Sequence, residues 1–521
     1  MRFPIHSLLA AASLLFAPTG HGAERPNFIV ITIDDLGYAD IGPFGSTIHR
    51  TPHLDRMARE GRKLTSFYAA PVCSPSRAAL MTGAHPKRAL PIPHVLFPAG
   101  AVGLNPAEVT VAEVLRDAGY ATGCIGKWHL GDQPAFLPTA QGFDYYLGIP
   151  YSNDMGTAAD GSKSDLGAPV PSPDAAPPTS RTAQAAPEDA ETGLKGHSQP
   201  PLPLVENDRV IDRLRQDGQQ RVLETFTTAA VKYIREHREK PFFLYLPHSA
   251  VHFPLYPGAA WVGRSGKGLY ADWVEEVDDS VGRVLDTVRE LGLEKRTMVI
   301  FTSDNGGTPR GSNAPLRGHK GSTWEGGIRV PTIAWWPGRV PAGTSTDAIG
   351  GNHDLLPTLA ALGGGTVPTD RRLDGMDLSP VLLGAADAKG HTVFPYFRGF
   401  ELQALREGPW KLHFGVPPTP AQAKGKDKGK GKAKGNPNGR PTGLQLYHLE
   451  DDPGETRDVA AEHPDVVSRL QALAAEMDAD LGRTERGPGI RPLGRVEQPE
   501  PFIHQDGTVR ANAVGQKAAF P

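Results

Sequence analysis

Five short apolar runs separated by helical periodicity constrain this chain more than any other feature. The runs cover residues 28–33, 121–128, 241–246, 298–302 and 332–336. Each reads as a buried strand. Between them, residues 52–60, 109–118, 219–236 and 269–291 carry apolar positions at helical spacing. Strands alternating with helices predict an α/β domain with a mostly parallel central sheet flanked by helices, and all five runs are expected to be parallel. In such a sheet, chemistry gathers outside the carboxyl ends of the strands.

At 521 residues the chain outruns a single ordinary core. Strand patterns at 410–414 and 444–449 and an amphipathic helix at 465–481 predict a small C-terminal α+β domain with an antiparallel sheet. The expected layout is a catalytic domain over 24–384, this smaller domain over 385–499, and an unpatterned tail from 500 to 521. Residues 156–204 are rich in Pro, Ala, Ser and Asp and read as a low-complexity surface insertion. Residues 424–435, "KGKDKGKGKAKG", read as a solvated loop or as a docking tract for a polyanion. Lys and Arg number 55 against 58 Asp and Glu, so no strong field marks a nucleic-acid binder. Residues 1–23 read as an export signal, with Arg2, the apolar run 8–16, and Gly20, Gly22 and Ala23 near the cut. That run is too short to span a bilayer, and no longer one follows. The expected location is periplasmic or extracellular.

Two cysteines, Cys73 and Cys124, make a single disulfide the ordinary reading in that compartment. The surroundings of Cys73 suggest something else. In "CSPSRAALMTG", Ser74 suits a helix N-cap, Pro75 the first turn and Gly83 the stop. Residue 73 then sits where backbone N–H groups and the helix dipole favour an anion, with Arg77 one turn further in. A buried inert cysteine, a thiolate nucleophile and a metal ligand all fit this local pattern.

Asp34 and Asp35 end the first strand; Asp304 and Asn305 end a later one, in "FTSDNGG". Two strand ends in a parallel sheet bring four hard oxygen donors together, a set suited to Ca²⁺ or Mg²⁺. Lys127 and His129 follow the 121–128 run and, in extended chain, share a side. His248 and His252 follow the 241–246 run, and Lys320 lies in a Gly-rich loop beside His319, which reads as structural. A metal, several cations and histidines around a helix start suit hydrolysis of a tetrahedral oxyanion ester.

At these residues the sequence resembles the type I sulfatases of the alkaline phosphatase superfamily, in the manner of arylsulfatase A and N-acetylgalactosamine 6-sulfatase. The resemblance runs from about residue 26 to 482 and rests on Cys-x-Pro-x-Arg with "AALMTG", and on "GKWHLG", "GIPYSND", "SDNGG", "KGSTWEGGIRVP" and "LYHLEDDPGE". It implies that a maturation enzyme converts Cys73 to formylglycine. It implies calcium held by Asp34, Asp35, Asp304, Asn305 and residue 73, with calcium favoured over magnesium. Arg77, Lys127, His129, Ser152, His252 and Lys320 match the remaining family positions, and the family's His-x-Pro pattern selects His252 over His248. In the implied mechanism Asp304 accepts a proton from one hydroxyl of the hydrated aldehyde. The oxyanion attacks sulfur while Lys127, Lys320 and Ser152 hold the sulfate, and His252, with Lys320, protonates the leaving alcohol. His129 then deprotonates the second hydroxyl and frees sulfate. A sulfated carbohydrate is the implied substrate class. Cys124 reads as a small core residue. Two alternatives stand beside this reading: a phosphodiesterase or phosphonate monoester hydrolase of the same superfamily, and a non-catalytic binder of sulfated glycans.

Overall fold

The computed structural model describes residues 25–170, 199–416 and 439–513. The expected export signal, the middle of the 156–204 insertion and the Lys/Gly tract lie outside the described residues. The main sheet has ten strands. In chain order they are β1 (Asn27–Ile33), β2 (Arg62–Leu64), β3 (Ala121–Lys127), β4 (Tyr145–Ile149), β5 (Pro203–Glu206), β6 (Arg209–Arg213), β7 (Phe242–Pro247), β8 (Thr297–Ser303), β9 (Thr332–Trp335) and β10 (Thr344–Thr346). Across the sheet they run β10-β2-β9-β8-β1-β7-β3-β4-β5-β6.

The central five, from β8 to β4, are parallel. Every residue of β1 is buried, and its side chains alternate between two cores. Phe28 and Val30 join the core on one face; Ile29, Ile31 and Ile33 join the core on the other. A strand covered on both sides needs the continuous apolar run seen in the sequence. Each large side chain so buried contributes about 1.5–3 kcal/mol, so a charge at Ile31 would unseat the sheet. The helices α1 (Pro52–Glu60), α4 (Gln216–Glu236) and α5 (Leu269–Glu290) cover the second face. The helices α2 (Cys73–Thr82), α3 (Val111–Asp117) and α6 (Leu355–Gly363) cover the first.

One strand corrects the all-parallel expectation: β9 is antiparallel to β8. Residues 304–331 between them are long enough for a crossover but are spent on the site loop, forming only a four-residue helix, Glu325–Ile328, where a parallel return would usually carry a full crossover helix.

A second sheet holds β11 (Val393–Arg398), β12 (Glu401–Glu407), β13 (Trp410–His413) and β14 (Gln445–His448), all antiparallel. The helix α7 (Pro464–Leu481) packs Val466, Leu470 and Ala474 against Leu402, Leu405, Leu412 and Leu446. Beyond it the chain returns to the main body. Residues 494–495 pair with 102–103, Phe502 and Ile503 are fully buried in the main core, and the Arg510 side chain donates to the Asp132 carbonyl. The described part of the tail is therefore packed, and so are the ends of the 156–204 insertion, where Ser162 and Leu202 are fully buried. Such segments dock through isolated apolar residues and side-chain bonds, which leave no periodicity to read.

Candidate active site

Pairing of β1 with β8 in register, Ile33 opposite Ser303, carries Asp34 and Asp304 out of the sheet side by side. Asp35, in the left-handed region at φ 66°, turns so that its N–H meets Asp304 Oδ1 at 3.3 Å. Asn305 Nδ2 donates to Asp35 Oδ1 at 2.8 Å. The four expected oxygen donors thus gather, and all four are buried.

Residue 73 opens α2 directly over them. Its Sγ lies 3.3 Å from Asp34 Oδ1 and 3.5 Å from Asn305 Oδ1. The helix starts earlier than the sequence reading placed it: the N-cap is Val72, with no side-chain cap. Ser74, expected to cap, instead accepts the Leu96 N–H at 3.1 Å. Gly83 ends the helix as expected, at φ 64° with its N–H on Ala79 O. One turn in from Cys73, Arg77 donates from Nε and Nη2 to Asp304 Oδ2 at 3.0 and 2.8 Å. Its Nη1 reaches the Lys127 carbonyl.

Cations close the site. Lys127 Nζ bonds Asp34 Oδ2 and donates to Ser152 Oγ at 3.1 Å. Lys320 Nζ sits 2.6 Å from Asp35 Oδ1 and 3.5 Å from Cys73 Sγ. His252 Nε2 is 3.7 Å from Asp35 Oδ2, and its Nδ1 is 3.4 Å from Ser152 Oγ. His248 lies away from this cluster, bonded to Ser280 Oγ at 3.1 Å. His319 bonds Asn313 Nδ2 at 3.1 Å.

His129 corrects the extended-chain expectation. β3 ends at Lys127, and His129 lies in the left-handed region at φ 61°, so the two side chains do not share a strand face. Its Nε2 bonds Leu96 O at 3.0 Å, while its buried Nδ1 has no partner. An imidazole donating Nε2–H to a carbonyl keeps a lone pair on Nδ1.

The charges act on one another strongly. Burial opposes ionisation of Asp34, but Lys127, His252, Arg77 and Lys320 together hold it well below the usual carboxylate range. Burial, with Asp34 adding repulsion, raises Asp304. Burial, with Asp304 and Asp34 close by, pushes the Cys73 thiol well above its ordinary range, so as a plain thiol it is a poor nucleophile. Burial and the nearby Lys127 and Arg77 hold His129 well below the usual histidine value, leaving it neutral. Cys73 and Cys124 are both free and buried; the Cys73–Cys124 bridge is not formed.

Donor atoms of Asp34, Asp35, Cys73 and His252 all lie within 4.8 Å of one another, spacing that one ion could bridge. A family model described as sulfatase matches residues 26–365, which include every residue of this cluster. The chain belongs to the sulfatase family. A second model, the C-terminal region of aryl-sulfatase, matches residues 389–487. Arylsulfatase A of Bos taurus is 38% identical over 503 residues, covering 91% of this chain and 93% of the relative. N-acetylgalactosamine-6-sulfatase of Canis lupus familiaris is 33% identical, covering 90% and 89%. The solved PsFucS1 sulfatase from Pseudoalteromonas sp. superposes with a TM-score of 0.73 at 27% identity, covering 90% and 92%. The protein is accordingly a sulfuric ester hydrolase, and the fold is that of its sulfatase neighbours.

Some residues that build this sulfatase's site escape sequence reasoning. Leu96 acts through its carbonyl, which no side chain advertises. Glu325, Lys411 and Glu455 form a buried ionic cluster behind the Lys320 loop. Each lies in a segment singled out above or beside one, "STWEGG", "PWKLHF" and "DDPGE", but nothing in the sequence pairs them.

Proposed function

We propose that this sulfatase hydrolyses sulfate esters of a carbohydrate, using a formylglycine made from Cys73 and a bound calcium ion. The observation that carries the reading is the placement of residue 73 at the start of α2, within 3.5 Å of Asp34, Asn305 and Lys320. Buried carboxylates and an amide oxygen around one position are a hard donor set, which fits calcium. Asp34, Asp35, Asp304, Asn305 and residue 73 would hold the ion, which supplies positive charge that favours ionisation at position 73. A hydrated formylglycine supplies two geminal hydroxyls, one to attack sulfur and one that later lets sulfate leave.

This chain's own side chains do the rest. Arg77 orients Asp304, the acceptor for the first hydroxyl proton. Lys127, Lys320 and Ser152 hold the sulfate oxygens as charge shifts onto them. His252, beside Ser152 and Asp35, is placed to deliver a proton to the departing alcohol. His129, neutral and with Nδ1 open, is the base for the second hydroxyl. A transient maturation enzyme would install the aldehyde, and the leader over residues 1–23 would direct export. No described helix is long and apolar enough to cross a membrane. The carbohydrate class is supported by the relative named for a sulfated amino sugar.

Peptide mass spectrometry across residue 73, in protein made by its natural host, tests this directly. The mass of formylglycine is the expected result, together with hydrolysis of an aryl sulfate faster than the matching aryl phosphate. An unmodified thiol in active enzyme would overturn the nucleophile assignment.

A further inference from the structure

Lys320 reaches the site from a glycine-rich loop that closes on itself locally, through Gly326 N to Arg317 O at 2.7 Å and Ser322 N to His319 O at 3.1 Å. Gly318 and Gly321 flank it at φ 84° and 83°, and Gly326 and Gly327 follow. Glycine backbones without side chains lose much freedom when ordered, so the loop needs external anchors. Its backbone has some, through Lys320 N to Gly307 O at 3.1 Å and Gly321 N to Pro71 O at 2.8 Å.

The heavier anchors come from the antiparallel sheet and the segment after it. Lys411 Nζ, on β13, donates to Thr323 O at 2.8 Å and to Glu325 Oε1 at 2.9 Å. The same ammonium lies 2.8 Å from Glu455 Oε1. Glu455 Oε2 accepts the Glu325 N–H at 2.7 Å, and its carbonyl accepts Arg317 Nη1 at 3.0 Å. Thr323 Oγ1 bonds Gln403 Oε1 on β12 at 3.0 Å. Both ends of the stretch 317–325 are thereby held by residues far away in sequence. Lys411, Glu325 and Glu455 are fully buried. Burying one ammonium between two carboxylates is costly against an apolar packing of the same volume. Such a cluster contributes geometry: each of its bonds has a direction, which hydrophobic contact lacks.

We infer that Lys411 and Glu455 are positioning residues for catalysis, fixing the Lys320 ammonium over residue 73 through Thr323 and Glu325, so that the C-terminal sheet is a working part of the active site. This rests on the reading that Lys320 holds the sulfate.

A double-mutant cycle tests it. Glu455→Gln keeps the side chain's shape but weakens its hold on the Glu325 N–H and Lys411. With an aryl sulfate, kcat/KM is expected to fall about tenfold or more in the otherwise native enzyme, since displacing a reacting group by about 1 Å costs about a hundredfold and a weakened anchor allows part of that displacement. Added to Lys320→Ala, the same change should cost less than about twofold, because the group it positions is gone. A full loss in both backgrounds, with folding intact by circular dichroism, would overturn the inference and leave the cluster a purely structural role. Gln403→Leu, which cuts the Thr323 link together with the Gln403 Nε2 bond to Glu401 Oε2 at 2.9 Å and leaves Lys411 and Glu455 in place, repeats the cycle if Glu455→Gln does not fold. Failure of the underlying reading looks different: Lys320→Ala would then retain native turnover by itself.

Discussion

Arg88 joins the main body to the C-terminal helix, and removing it gives a sharply defined prediction. Its Nε and Nη2 donate to the two oxygens of Asp374, both at 2.8 Å. Its Nη2 and Nη1 also reach the two oxygens of Asp480, at the end of α7, at 2.7 and 3.1 Å. Burial opposes ionisation of Asp374, but the bonds from Arg88 outweigh it and take the carboxyl from 3.8 to about 2. That difference corresponds to about 2.5 kcal/mol of stabilisation of the folded carboxylate. Arg88→Met removes most of it and leaves Asp374 only the His85 N–H at 2.6 Å and Arg372 Nε at 3.6 Å, so the about 3–5 kcal/mol typical of an unpaired buried carboxylate is an upper range. Asp480 keeps 21% of its side chain exposed and can rehydrate, which points to the lower end, about 3 kcal/mol. The sign with pH follows from the depressed folded value. The contribution is full above the unfolded value of 3.8 and disappears as pH falls through about 2. Urea unfolding of both proteins at pH 7, 5 and 3 should therefore show equal gaps at the first two and a smaller gap at the third. A loss under about 1 kcal/mol at pH 7, as for a surface ion pair, would refute the reasoning. So would a gap that widens on acidification.

Cys73→Ala should abolish aryl sulfate turnover with an unchanged circular dichroism spectrum; measurable turnover would sink the nucleophile. Dialysis against a chelator should inactivate the enzyme, with calcium restoring the rate, and an unaffected rate would count against the ion. Glu276, on α5, is 3% exposed and accepts the Gly258 N–H at 2.7 Å. Burial pushes its carboxyl up to about 8, so the folded state binds the proton more tightly and stability falls as pH rises from 4.5 through about 8. Glu276→Gln should match the native protein at pH 5 and exceed it at pH 9 by on the order of 2–4 kcal/mol, read by urea unfolding; parallel profiles would contradict this.

Four of the five central parallel strands were legible because they are covered on both faces; β4, Tyr145–Ile149, was not read as a strand, its run being short and interrupted by Gly148. Residues 28–33 and 298–302 lie within β1 and β8, and the helical patterns at 52–60 and 269–291 coincide with α1 and α5 to within a residue. Outer strands such as β2, β5 and the edge strand β6 were not legible, being short and partly exposed. The same contrast runs through the site. Asp34, Asp35, Asp304 and Asn305 announce themselves as oxygen donors at the ends of apolar runs. Cys73 and Arg77 share a recognisable helix start. The partner of His129 and the bracing of the Lys320 loop were silent, because a carbonyl such as Leu96 O or Thr323 O has no sequence signature.

By itself, then, the sequence determined the α/β class, the positions of four of the five central strands and the inventory of ionisable groups beyond their ends. These follow from local patterns, since burial on two faces demands an unbroken apolar run and a helix start favours particular residues. Tertiary structure alone decided which groups meet. The parallel register of β1 and β8 set Asp34 beside Asp304, and the left-handed turn at His129 took its ring off the strand face and onto Leu96 O. The reversal of β9 and the bracing of the Lys320 loop by Lys411 and Glu455 were likewise decided there. Those outcomes depend on contacts between residues tens to hundreds apart, whose energies no local window of sequence contains.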